Sequence, residues 1–270
     1  QSVKEHKNKW TTWHWSTKYS INPYNINFTV GHFELIERIV PSLGKPLRVQ
    51  FYVLNENLEG AQKLLDQVEI FVEFFTRNFG QFPWIEEKLG LVNTPYFGME
   101  HQTMIAYGND YKKNEKGYDF LLFHEMAHEW WGNYLSVSDW SDFWIHEGFA
   151  VYCEALYIEE KYGYEEYNSF LTKNISKKIP LSKPIVLERN STMSQVFGLD
   201  PYYKGAFVLH MLRYLVGDES FFKILKDLLH SKKHLPNNQI TTSDFIDIVH
   251  NEIGTNIDWF FKVYLYENQY

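Results

Sequence analysis

The chain has 270 residues, a formal net charge of -8, one cysteine and an aromatic content of 18%. That length can bury a sizeable core, as one large domain or two smaller ones, and the density of Trp, Tyr and Phe argues against disorder. The acidic balance, with no basic stripe beyond short Lys pairs, excludes nucleic acid as an expected partner. The lone Cys153 excludes an internal disulfide framework, and no apolar run reaches the ~18 residues of a membrane span. The first residues, QSVKEHKNKW, are polar and form no signal peptide. They lack an initiator Met, so a processed chain or a fragment is expected.

In chain order, residues 1–53 alternate Trp, Thr, Tyr, Val and Phe in short runs (WTTWHW, NINFTVGHFELI, LRVQFYVL) and are predicted to form strands. Turn signals separate them at Asn22-Pro23 and between Pro41 and Gly44. From Glu56 to Asn78 the apolar positions Leu58, Ala61, Leu64, Leu65, Val68, Phe71, Val72 and Phe75 recur at helical spacing, and the stretch Phe79 to Pro83 ends that helix. Lys88–Val92 and Glu100–Tyr107 read as two more strands. A polar loop then leads into a buried helix, capped by Asp119 and closed by Gly132. A second helix is expected from Ser141 or Asp142 to Tyr162, closed by Gly163. The remainder is mostly helical: Tyr164–Lys178, Lys204–Val216, Ser220–His230, Ser243–Glu252 and Asp258–Leu265. Strands first and helices last imply an α+β fold, a small mixed sheet followed by a mainly helical lobe.

The buried helix carries His124-Glu125-Met126-Ala127-His128. Residues four apart share a helix face, so the two imidazoles can chelate one metal ion, with Glu125 beside them to act on a water. Catalytic zinc takes three protein ligands and keeps a position open. A third histidine six residues on would stand at 134, which is Tyr134. A carboxylate from the next helix is the other solution, and Glu147 follows His128 with 18 residues between. His146 and Glu154 compete for the role, but Glu154 lies two turns further along that helix, and Glu147 is preferred. One Zn²⁺ is expected. It lowers the pKa of a water from about 15.7 toward ~7, and Glu125 takes the proton and passes it to a leaving amine.

His124-Glu125-x-x-His128, the 18-residue interval and Glu147 resemble the gluzincin metallopeptidases, and within them the M1 aminopeptidases. Gly98-Met99-Glu100-His101 resembles that family's exopeptidase motif, usually Gly-Ala-Met-Glu-Asn or Gly-Gly-Met-Glu-Asn. Tyr202-Tyr203-Lys204-Gly205 resembles its Tyr-x-Lys-Gly segment. Relatives that share Gly-Met-Glu-His look bacterial. The resemblance implies a thermolysin-like catalytic domain over residues 31–270, with 1–30 as the tail of an N-terminal β domain. It implies that Glu100 holds a substrate's free α-amino group, that Gly98 and Met99 line the substrate pocket, and that Tyr202 donates to the oxyanion, with Tyr203 as the rival tyrosine. Phe97 and His101 replace a small residue and an Asn of the motif, so selectivity does not carry over. Four tryptophans, Trp130, Trp131, Trp140 and Trp144, read as scaffold around the zinc helices.

The expected activity is therefore zinc-dependent removal of N-terminal residues from peptides with a free N-terminus. Three rivals stand beside it: an endopeptidase of similar fold, hydrolysis of a lipid epoxide by the same constellation, and a zinc-binding domain inactive without flanking domains. Sequons at Asn27, Asn174 and Asn190 carry meaning only in a secreted eukaryotic protein.

Overall fold

The computed structural model describes residues 2–180, 183–230 and 238–267. A short hairpin, β1 (Ser2–Glu5) with β2 (Thr11–His14), stands apart from the main sheet. The main sheet begins with β3 (Phe33–Val40) and β4 (Leu47–Leu54), an antiparallel pair in register from Phe33 opposite Leu54 to Val40 opposite Leu47. Helix α1 (Leu58–Phe79) then crosses over to β5 (Leu89–Asn93), parallel to β4. After β6 (Gly98–Met99) and β7 (Ile105–Tyr107) the sheet is complete, in the order β3-β4-β5-β7-β6. Alternate residues of β4, Leu47, Val49, Phe51 and Val53, are fully buried, and β5 is buried along its whole length. That alternation is the mark of a strand with one face on the core.

Helix α2 (Phe120–Ala127) follows, then β8 (Ser136–Val137) and α3 (Trp144–Tyr162). The helical lobe continues with α4 (Tyr164–Phe170), α5 (Met193–Val196), α6 (Gly205–Val216) and α7 (Asp218–His230). It ends with β9 (Gln239–Ile240), parallel to β8, then α8 (Thr242–Ile253) and α9 (Asp258–Phe261). No helix among the described residues is long and apolar enough to cross a membrane. The α+β architecture expected from the sequence is the one observed, and the ends of α3 and α8 fall where their caps predict. Gly163 closes α3 at φ 89°, and Thr241 with Asp244 forms a reciprocal capping box at α8.

Three local expectations differ. Residues 25–30, expected as a strand, pair with no strand among the described residues. Pro23–Asn25 is a 3-10 turn, and Ile26, Phe28 and Val30 are largely exposed. Alternation alone builds no strand without a neighbour, and the Asn25 side chain is committed elsewhere, to Asn133 Oδ1 at 2.6 Å. Glu100–Tyr107 is a strand only from Ile105. Before it, Met104 N–H donates to the His101 carbonyl and Thr103 takes φ 60°. Helix α2 stops at Ala127, a turn before Gly132. There the amides of Glu129 and Trp130 donate to carbonyls only three residues back, which tightens the chain out of α geometry.

An aromatic cluster joins α1, α2 and α3. Phe71 meets Phe123 edge-on at 5.0 Å, Phe75 stacks on Trp130 at 5.1 Å, and Phe123 lies 4.9 Å from Tyr157. Such pairs contribute about 0.5–1.5 kcal/mol each beyond their burial, and they fix the helix carrying His124 against α1 and α3. On the other side α3 meets α6 through glycine. A Cβ on Gly148 would lie 2.9 Å from the Gly205 backbone and 3.1 Å from the Pro201 carbonyl. Gly148→Ala is expected to cost about 1–3 kcal/mol through overpacking, lowering the melting temperature by several degrees. An unchanged melting temperature would show that the two backbones do not meet this closely.

Glu154 supplies a pH-dependent element. It accepts a 2.6 Å hydrogen bond from the Tyr118 hydroxyl, and burial raises its pKa to about 7 from the ordinary 4.5. The folded chain therefore holds a proton there that the unfolded chain has released. The stabilising contribution is full below about pH 4.5 and is lost as pH rises through about 7. Glu154→Gln is expected to flatten the fall in melting temperature between roughly pH 5 and 8. The same slope in both proteins would assign that pH dependence to another group.

Candidate metal centre and substrate site

The site is assembled from α2, α3, the loop after β6 and the turn before α6. Asp119 caps α2 by accepting from the Leu122 amide at 3.0 Å, while its own amide donates to Gln67 of α1. The start of the helix is thereby tied to α1. One turn on, His124 Nε2 and His128 Nε2 stand 3.1 Å apart, and Glu147 Oε2 of α3 lies 3.2 and 3.5 Å from them. Two ligands held at about 2.0–2.2 Å by a tetrahedral zinc stand roughly 3.3–3.5 Å from each other, so the triangle has the size that such an ion spans. Glu147 Oε2 is enclosed and makes no well-aligned hydrogen bond, as a ligand atom would be. His128 Nδ1 faces the Trp131 carbonyl at 2.9 Å. A carbonyl only accepts, so Nδ1 carries a proton and Nε2 is the atom turned to the centre, able to bind a metal once its own proton is displaced. Burial works against charge on His128, yet the carboxylates of Glu147, Glu100 and Glu125 raise its pKa to about 10. Donor set, geometry and potential all favour a divalent cation here.

The competing ligands are engaged elsewhere. His146 Nε2 accepts from the Val137 amide at 3.0 Å, and burial pushes its pKa down to about 3. Glu154 is held by Tyr118, as described above. Glu125 sits beside the histidines, and a potential ligand atom of each of Glu100, Glu125 and His128 lies within 4.8 Å of the other two. Burial, then the charge of Glu100, raises the Glu125 pKa well above the ordinary carboxylate range. Gly98 lets β6 lie against this carboxylate, since a Cβ there would come within 2.7 Å of both Glu125 Oε1 and Leu121. Met99 is half-buried next to Glu100.

Tyr202 lies on a π turn, Asp200–Lys204, just before α6. Its ring is parallel to His124 at 6.1 Å and edge-on to Phe143 at 6.3 Å. Burial, then the Glu147, Glu100 and Glu125 carboxylates, keep its phenol protonated far above the ordinary value. Tyr203 turns away: its hydroxyl accepts from Lys178 Nζ at 3.3 Å, under a cation–π contact. His101 Nε2 lies 3.3 Å from Asn27 Nδ2. Trp130, Trp131 and Trp144 are buried in the core, as scaffold.

Sequence reading missed three supporting residues. Glu129 accepts from Trp84 Nε1 at 2.7 Å and from the Thr103 amide at 3.0 Å, which ties the end of α2 to the loop behind Glu100. An acid in so apolar and buried a stretch must find such partners, so its position was a usable signal. Asn133 donates to the Glu100 carbonyl at 2.8 Å, and Tyr24 approaches the centre from the N-terminal segment. Nothing local marked these two.

A mixed sheet leading into a two-histidine helix, with a glutamate returned from the next helix, is the α+β arrangement of a thermolysin-like catalytic domain. The sequence profile of the Peptidase family M1 domain matches residues 65–264. The chain belongs to peptidase family M1. Among its relatives, endoplasmic reticulum aminopeptidase 1 of Rattus norvegicus is 24% identical over 253 residues, covering 85% of this chain and 27% of that protein. Aminopeptidase M1-B of Oryza sativa subsp. japonica is 28% identical over 258 residues, covering 87% and 28%. This chain thus spans little more than a quarter of those relatives. An M1 zinc metallopeptidase from Deinococcus radiodurans shares the fold at a TM-score of 0.80 and 19% identity, over 100% of this chain and 59% of that one.

Proposed function

We propose that this chain carries the catalytic centre of a zinc aminopeptidase, which hydrolyses the first peptide bond of peptides with a free N-terminus. In this reading His124, His128 and Glu147 hold one Zn²⁺, residues 31–270 are the metallopeptidase domain, and 1–30 are the tail of a preceding β domain. The observation that carries it is the Glu100 carboxylate, held by Asn133 and Glu129 through its loop, within 4.8 Å of ligand atoms of Glu125 and His128.

Bound there, zinc supplies Lewis acidity to a water and to the scissile carbonyl. Glu100 pairs with the substrate's α-ammonium group, whose pKa is about 7.7–8.0, and so sets the scissile bond one residue in. Glu125 receives the proton of the attacking water. Tyr202, kept protonated, donates to the oxyanion as the carbonyl carbon becomes tetrahedral. Glu125 then hands its proton to the departing nitrogen, the C–N bond breaks, and a free amino acid and a shortened peptide leave.

The endopeptidase and the inactive zinc module are the rival outcomes. Ala- or Leu-arylamides are expected to be cleaved while their N-acetylated forms are not. Equal cleavage of both sinks the exopeptidase assignment. Metal analysis with an anomalous diffraction peak between His124, His128 and Glu147 tests the ligand set, and no peak there ends it.

A further inference from the structure

The segment Asn22–Asn25, which falls in the proposed tail of the preceding domain, is built into the site. Asn22 donates to Ser136 Oγ at 3.1 Å, and Asn25 donates to Asn133 Oδ1 at 2.6 Å. Asn133 in turn holds the Glu100 carbonyl. Between these anchors the Tyr24 ring is fixed edge-on to Trp140 at 5.2 Å and parallel to His146 at 6.2 Å. The hydroxyl is fully enclosed. It makes no well-aligned hydrogen bond, and the polar groups that act on it are the Glu100 and Glu147 carboxylates and the Asn25 side chain.

An enclosed O–H without a settled partner is costly, so a turn of the Glu100 carboxylate toward it is favoured. A carboxylate has about four acceptor sites, and one hydrogen bond from Tyr24 leaves room for an amine. We propose that Tyr24 is a positioning residue of the substrate site, whose hydroxyl donates to the Glu100 carboxylate and fixes the orientation in which it receives a peptide's α-ammonium group. Asn133 holds the backbone of Glu100 and Tyr24 holds its side chain. The anchor is thus oriented from the N-terminal segment, outside the residues that carry the zinc motif. This inference rests on the aminopeptidase reading above.

The test compares two zinc-directed ligands on the zinc-loaded protein, leucine hydroxamate and 4-methylpentanoyl hydroxamate, which differ only in the α-amino group. Their affinity ratio reads amine recognition alone. Tyr24→Phe keeps the ring between Trp140 and His146 and removes only the hydroxyl. It is expected to cut the ratio by about 5- to 10-fold, what one ordinary hydrogen bond is worth, with zinc content retained and KM for a Leu-arylamide raised more than kcat is lowered. In a Glu100→Gln background the same substitution is expected to change the ratio no further. A high wild-type ratio that Tyr24→Phe leaves unaltered overturns this inference alone. So does equal weakening of both ligands, the signature of a merely structural role. A wild-type ratio near one sinks the aminopeptidase reading itself, and this inference with it.

Discussion

Glu125→Gln is expected to lower kcat on Leu-arylamide by about 10²–10⁴, the usual span for loss of a positioned general base, with bound metal unchanged. The amide matches the carboxylate in size and leaves the fit of β6 against Glu125 at Gly98 intact. What it lacks is the capacity to take a proton from water and return it to the leaving nitrogen. The substituted group is none of the three proposed metal ligands, so metal content separates loss of chemistry from loss of the ion. Wild-type and variant with the same residual activity would show that the turnover comes from another site or a contaminant.

Tyr202→Phe is expected to lower kcat by roughly 10²–10³ with little change in KM, because an oxyanion donor acts in the transition state and not on the bound substrate. The ring keeps its stacking on His124 and its edge contact with Phe143, so the site's shape is preserved. Tyr203→Phe is the internal control. Its hydroxyl meets only Lys178 among the described contacts and faces away from Glu147. Near wild-type rates are expected from it, and equal losses in the two variants would overturn the assignment of Tyr202.

Much of this molecule was legible along the chain where the deciding physics is local. His124 and His128 converge because four residues make about one helical turn, and Asp119, Gly163 and Thr241 end helices through bonds to their own neighbours. The 22-residue α1 was visible in its apolar spacing because one stripe of it packs into the core. Glu147 was reachable by the need for a third ligand.

The rest depended on contacts between residues far apart in sequence. Residues 25–30 alternate like a strand, but no strand lies beside them among the described residues, and Asn25 is drawn instead to Asn133, 108 positions away. Helix α2 ends early where Glu129 is held by Trp84 and Thr103, groups that its own sequence does not contain. Tyr202 and Tyr203 are adjacent and chemically alike, and only the π turn before α6 separates the one facing Glu147 from the one facing Lys178. Tyr24 is the extreme case, an ordinary tyrosine in an ordinary turn until the fold encloses its hydroxyl beside Glu100. Periodicity and caps operate within a few residues of the backbone, so the sequence alone determined most of the elements and the two-histidine helix. Burial, charge and hydrogen-bond supply are collective properties of the packed chain, and only the tertiary structure decided which side chains meet around His124, His128 and Glu147 and how each is held.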